Sequence, residues 1–225
     1  MNHKKSNAFS LVELSIVLII IGLLVAGVSS GAKLIEQAKI NKVITELKDY
    51  QSSVLTYQLT YDKLPGDMDD AESFFGASAT DNGDNDGKIE TAAAVTSESL
   101  LAWEHMALSG VIGGSFTQVS TGVHTAGSTG PNTALANTCY APYYWTTTAK
   151  NGIMVGTDAG TVNCIGTTAL KPQTVYKIDK KIDDGIGNKG DIYAYSNAAC
   201  QSSGTYDLDA TAAGCYFHFA FGENG

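Results

Sequence analysis

The chain has 225 residues, a formal charge of −9 and no arginine. Such an acidic balance argues against nonspecific nucleic-acid binding as the main role, because phosphate contacts need a basic surface. The four cysteines, Cys139, Cys164, Cys200 and Cys215, form no C-x-x-C pair, which argues against a zinc ribbon or a redox motif.

At the start, Lys4 and Lys5 precede an apolar run from Phe9 that carries one carboxylate, Glu13. From Leu14 to Ala32 nineteen residues bear no charge, about 28 Å of helix, enough to cross the hydrocarbon core. A lone Glu at the edge of such a segment costs a few kcal/mol in lipid unless a cation meets it. Three readings compete. The run is a secretory signal cut after Ser30-Gly31-Ala32, a plain single-span anchor, or a helix kept after a short leader is cut before Phe9. Beyond the run, Ile40, Val43, Leu47, Tyr50, Val54, Tyr57 and Tyr61 recur at alternating spacings of 3 and 4, one apolar stripe on a helix. No proline precedes Pro65, so the spacing predicts one helix of about 50 residues from Phe9, on the order of 75–80 Å. A cleaved secretory peptide has no reason to run in phase into such a stripe. Gly22, Gly27 and Gly31 are its weak points, at about 1 kcal/mol each relative to Ala. The second half of this helix is expected to pack on a globular domain and the first half to stay outside it.

Lys4-Lys5, Phe9 and Glu13, with the helix that follows, resemble the prepilin signal of type IV pilins and type II secretion pseudopilins. In that family a leader peptidase cuts before a Phe, the new amine is methylated, and a Glu five residues into the mature chain is retained. Ala8 stands where the family usually has Gly, a small replacement that bears on cleavage efficiency. The resemblance implies a leader at 1–8, cleavage between Ala8 and Phe9, and N-methylation of Phe9. It further implies a transmembrane and polymerisation helix at 9–32 and a head at 33–225 that includes the second half of the long helix. The implied fold class is α+β, a pilin-like long N-terminal helix with a C-terminal antiparallel sheet. Loss of Lys4 and Lys5 takes the charge from −9 to −11.

The implied function is structural: a subunit that polymerises through its N-terminal helix into a type IV pilus-like filament for motility, adhesion or DNA uptake. Glu13 of one subunit would meet the amine of its neighbour and set register. The implied partners are copies of itself and other pilins, a prepilin peptidase/methylase and an inner-membrane assembly platform. The precursor would span the inner membrane once with its head in the periplasm, and then enter an extracellular pilus or a periplasmic pseudopilus. A pseudopilin acting as a periplasmic piston is the alternative within the family. A membrane-anchored periplasmic enzyme or ligand-binding domain is the alternative outside it. An exported head meets an oxidising compartment. Of three possible cysteine pairings, the sequence-adjacent one, Cys139–Cys164 and Cys200–Cys215, is expected; pilins often carry such a C-terminal bridge.

After Tyr61, Pro65-Gly66 is a turn that ends the long helix. Asp67 is expected to cap a short helix through Phe75, and a further helix is predicted from Ser97 to Leu108. The stretch from Thr117 to Asn137 looks loop-rich. Strands are predicted at Ile153–Val155, Ile192–Tyr195 and Cys215–Phe221, the last with Cys215, Phe217, Phe219 and Phe221 on one face. Val175, Ile178 and Ile182 predict a helix opened by Pro172 and stopped by Gly185. Some 165 residues after Tyr61 suffice for one domain with its own core.

Asn82, Asp84, Asp86 and Gly87 form N-x-D-x-D-G, hard oxygens at alternate positions before a turn glycine, as in Ca²⁺ loops. Lys88 would add a carbonyl and Glu90 a carboxylate or water contact, while Ala93 stands where a full EF-hand places its bidentate Glu. A Ca²⁺ site and an ordinary solvated Asx-rich turn both remain open here; the resemblance, which includes Ca²⁺-stabilised pseudopilins, adds to the first. Asp179, Asp183 and Asp184 are expected to be exposed charges at a helix end. His105 is expected to pack or to be a satisfied hydrogen-bonding group. With no nucleophile elbow or phosphate loop in the chain, no enzymatic activity is expected.

Overall fold

The computed structural model describes residues 11–77, 80–91, 97–117, 124–125, 127–157, 164, 169–195 and 199–221. Two compact units divide the chain, Met1–Lys39 and Ile40–Gly225. The first helix, α1 (Leu11–Tyr61), has 51 residues and enters both. Within the first unit none of residues 11–39 is buried. Within the second, Ile40, Val43, Leu47, Val54 and Tyr57 are buried and Tyr50 and Tyr61 half-buried. These are the seven positions of the apolar stripe.

The second unit adds α2 (Ala71–Phe75), α3 (Glu98–Leu108) and α4 (Pro172–Ile182) to strands β1 (Thr138–Trp145), β2 (Lys150–Thr157), β3 (Asn188–Lys189), β4 (Ile192–Ala194) and β7 (Phe217–Ala220). These strands form a five-stranded sheet in the order β1-β2-β7-β4-β3, every pair antiparallel. A separate hairpin joins β5 (Gln201–Ser202) and β6 (Thr205–Tyr206). The architecture is α+β and pilin-like: a long N-terminal helix followed by an antiparallel sheet.

One apolar core unites the stripe on α1 with Trp103 and Met106 of α3, Val175 and Ile178 of α4, and Ile153, Val155, Phe217 and Phe219 of the sheet. Trp103 sits at its centre, edge-on to Tyr50 at 4.9 Å and donating its indole N–H to the Tyr140 carbonyl at 3.2 Å. The alternation predicted for the last strand holds, with Cys215, Phe217, Phe219 and Phe221 all in this core. The opposite sheet face carries a smaller cluster of Cys139, Ala141, Met154, Cys164 and Tyr216. Both expected disulfides are present: Cys139–Cys164 with Cα atoms 5.7 Å apart, and Cys200–Cys215 at 5.0 Å.

Beyond the short strands β3, β5 and β6, which the sequence does not predict, three features differ from expectation. Strand β1 has no counterpart in the prediction, since Pro142 lies inside it. It is tolerated because β1 is an edge strand, where a missing N–H need not enter the ladder. The short helix is not capped by Asp67; Asp70 holds the N-cap position without a side-chain capping bond, and both Asp69 and Asp70 pair with Lys63. Asp179 is not an exposed charge. It is fully buried, accepting from the Tyr206 hydroxyl at 2.7 Å and from Gly185 N at 3.0 Å, while Asp183 accepts from Asp191 N. Asp179 and Asp183 therefore bind the turn into the sheet, while Asp184 is exposed as expected.

Candidate functional site

Two sites have the residues for function, one in each unit. In the first unit, thirteen large apolar side chains from Leu11 to Val28 are at least half exposed. They surround the helix instead of lying on one side, as β-branched and Leu residues fill nearly every position. Covering them is worth about 1.5–3 kcal/mol each, on the order of 20–40 kcal/mol together. A surface of that size is stable in lipid or against other apolar helices, and not in water. Glu13 lies in the first turn of α1, where the helix macrodipole favours a negative charge, and it is the one ionisable side chain between Leu11 and Ala32. The Ser15 hydroxyl next to it bonds back to the Val12 carbonyl at 2.8 Å, so it adds no bare donor to the apolar surface. Ala8 and Phe9 lie outside the described residues.

Residues 3–29 match a known family, the prokaryotic N-terminal methylation motif. This stretch is the signal of type IV pilins and pseudopilins. It carries processing by a prepilin peptidase as its consequence, and the apolar helix fits the membrane anchor of such a subunit. No curated protein and no solved structure matches the chain.

The second site is the loop at 80–91. Four side chains hold its backbone. Glu98 accepts from Asp84 N at 3.2 Å and Glu90 N at 2.9 Å; Asp67 accepts from Asp86 N at 2.9 Å and Gly87 N at 3.0 Å. Asn151 accepts from Ile89 N and donates to the Gly87 carbonyl, both at 2.9 Å. His105 takes the Gly66 N–H on Nδ1 at 3.0 Å, which leaves the proton on Nε2 to reach the Asp81 carbonyl at 3.1 Å. Burial holds this imidazole neutral, its pKa lowered to about 4. Gly83 passes so close to Gly66 and Asp67 that a Cβ there would overlap their backbone atoms.

Asp67 and Glu98 are both nearly inaccessible. Burial raises the Asp67 pKa to about 6 and that of Glu98 to about 7, against the pull of the backbone N–H groups each accepts. The charges of Asp84 and Asp86 add to the rise at Asp67, and those of Asp67 and Asp84 to the rise at Glu98.

Of the predicted Ca²⁺ ligands, Asp84 and Asp86 meet, joined by Asp67, with carboxylate oxygens within 4.8 Å of one another. Asn82 turns its Oδ1 to Glu72 N at 2.9 Å, the Lys88 ammonium binds Asp86, and Glu90 is exposed. Asp67, from the Pro-Gly turn, thus joins Asp84 and Asp86 of the loop beside the turn glycine Gly87 (φ 86°). Asp67, Glu98 and Asn151 were not legible as loop ligands, since each is remote in sequence from the backbone it holds. A Pro-Gly turn directly before Asp67 was the one available signal.

Proposed function

We propose that this chain is a structural subunit that polymerises through its N-terminal helix into a type IV pilus-like filament. The observation that carries the reading is the helix of residues 11–32, apolar apart from Glu13 and three serines and without a buried residue, joined to a prepilin-type signal. Lipid covers that surface in the precursor and neighbouring copies cover it in the filament. Cleavage before Phe9 frees an amine four residues from Glu13. An ammonium and a carboxylate, each costly alone in an apolar bundle, become tolerable as a pair between correctly staggered copies. The head forms the outer layer and supplies adhesive contacts. Two disulfides and a loop tied down by four side chains suit a head that works outside the cytoplasm, in a pilus or in a periplasmic pseudopilus alike. Asp67, Asp84 and Asp86 would hold Ca²⁺ in that loop, where the ion would neutralise the clustered carboxylates.

Mass spectrometry of the membrane-extracted protein tests the reading. The expected mature chain begins at methylated Phe9, and one beginning at Lys33 refutes the proposal.

A further inference from the structure

The chain has no arginine, and of the ten lysines in the second unit four, Lys42, Lys177, Lys180 and Lys181, gather where α4 meets the start of α1's buried half. At the Asn41 end, α4 presents Lys177, Lys180 and Lys181 to solvent, and the Lys181 ammonium reaches Asn41 Oδ1 at 2.7 Å beside the exposed Lys42. At the Tyr61 end the balance reverses: residues 62–90 hold Asp or Glu at 62, 67, 69, 70, 72, 81, 84, 86 and 90 against Lys63 and Lys88 alone. The two ends are twenty residues apart on one helix, roughly 30 Å. Acids border this face: Asp207 and Asp209 are exposed on the segment whose Leu208 and Ala210 carbonyls accept from Gln173, one turn before Lys177. Glu46 lies 3.7 Å from Lys42, and Asp184 shares the outward side of α4 but spends one oxygen on Ile186 N at 2.7 Å.

We propose that Lys42, Lys177, Lys180 and Lys181 form a docking face for anionic phospholipid headgroups, which holds the membrane-anchored subunit with its acidic end away from the bilayer. The inference rests on the anchoring reading above. Its support is charge complementarity together with chain length: Asn41 follows the last residue of the uncharged stretch, Ala32, by nine residues, which span no more than about 30 Å however they fold. The span therefore keeps these four lysines near lipid before assembly, without a second molecule being required. An anionic surface attracts the lysine end and repels the other, so lipid charge orients the head as well as binding it. α4 suits the role, since its apolar side, Val175 and Ile178, is already buried in the core and its lysines are left on the outer side.

The test uses the full chain in vesicles of phosphatidylcholine, with or without about a third phosphatidylglycerol. A neutral amine-acylating reagent is applied, and each lysine is followed by mass spectrometry. Anionic lipid should slow labelling of Lys42, Lys177, Lys180 and Lys181 by about fivefold each, leave Lys63, Lys88 and Lys150 unchanged, and lose its effect in 0.5 M salt. Lys180→Gln with Lys181→Gln, both exposed positions, should reduce the protection of Lys42 and Lys177 while the chain stays in the vesicles. Equal labelling in the two vesicles overturns the inference and leaves the anchoring reading intact. Protection in neutral vesicles that grows with protein density also overturns it, by assigning the face to a second copy. Failure of neutral vesicles to retain the chain refutes the anchoring reading and this inference with it.

Discussion

Replacing Glu98 by Gln separates the two opposing contributions of this buried carboxylate. In the folded head its pKa lies near 7, against an ordinary value of 4.5. The folded state therefore binds the proton more tightly than the unfolded chain, and the group's contribution to stability is greatest below pH 4.5 and falls as pH rises through about 7. The full interval corresponds to roughly 3 kcal/mol, or about 6–12 °C in Tm for a domain of this size. Asp67, raised to about 6, adds a loss in the same direction. Gln has the same shape and no charge, so its own contribution does not change with pH, and the Coulomb share of the Asp67–Glu98 repulsion also disappears. Its single carbonyl replaces two acceptor oxygens, however, and its amide N–H₂ then opposes a loop N–H, at about 1–3 kcal/mol. The variant should accordingly be less stable than the parent at pH 4.5, where Glu98 is neutral and able to turn its hydroxyl outward, and close to it at pH 8, where the two effects offset. Thermal unfolding of the full chain in a nonionic detergent, followed by near-ultraviolet circular dichroism from pH 4.5 to 8, gives both curves. Parallel pH profiles for parent and variant would show that Glu98 does not titrate in this range, and the argument from its burial would fall.

Two more perturbations address the same loop. Gly83→Ala should destabilise the head by about 1–3 kcal/mol, because the added methyl meets the Gly66 and Asp67 backbone and not a movable side chain; an unchanged Tm in the same assay contradicts that packing. Millimolar Ca²⁺ should raise the Tm of the parent at pH 7.5 and do less at pH 5, where Asp67 is protonated, and Asp84→Asn with Asp86→Asn should abolish the rise. Absence of both calorimetric heat and a Tm shift removes the ion from the account.

The stripe from Ile40 to Tyr61 was legible because helical periodicity survives any tertiary context that buries one side of a helix. The last strand was legible for the corresponding reason, with Phe217, Phe219 and Phe221 marking alternate positions. Strand β1 was hidden by Pro142 and by apolar residues on both faces: Tyr140 enters the main core, while Cys139 and Ala141 enter the smaller cluster. The N-terminal signal is compact and local, so the motif at residues 3–29 could be read from the sequence. The loop could be read only in part, since Asp84 and Asp86 announce themselves by spacing whereas Glu98 and Asn151 act through tertiary placement. Asp179 illustrates the same limit. A carboxylate amid Lys180, Lys181, Asp183 and Asp184 resembles a solvated helix end until the Tyr206 hydroxyl, twenty-seven residues on, is known to meet it.

Glu13→Ala tests what a single charge contributes to an association driven by apolar surface. If the 11–28 surface supplies on the order of 20–40 kcal/mol, removing one carboxylate does not detach the helix from lipid, and deleting a charge from an apolar segment favours insertion by a few kcal/mol. What the variant loses is the discrimination between staggers. The matched stagger pairs carboxylate with amine, while the others leave both charges unpartnered, a difference of about 3–5 kcal/mol when a buried pair is broken, or about two to nearly four orders of magnitude in population. Membrane extraction should therefore show the variant fully inserted and processed, while sedimentation and electron microscopy show few or irregular filaments beside those of the parent. Regular filaments at parental yield would mean that helix packing alone sets the register, and Glu13 would then have no part in assembly.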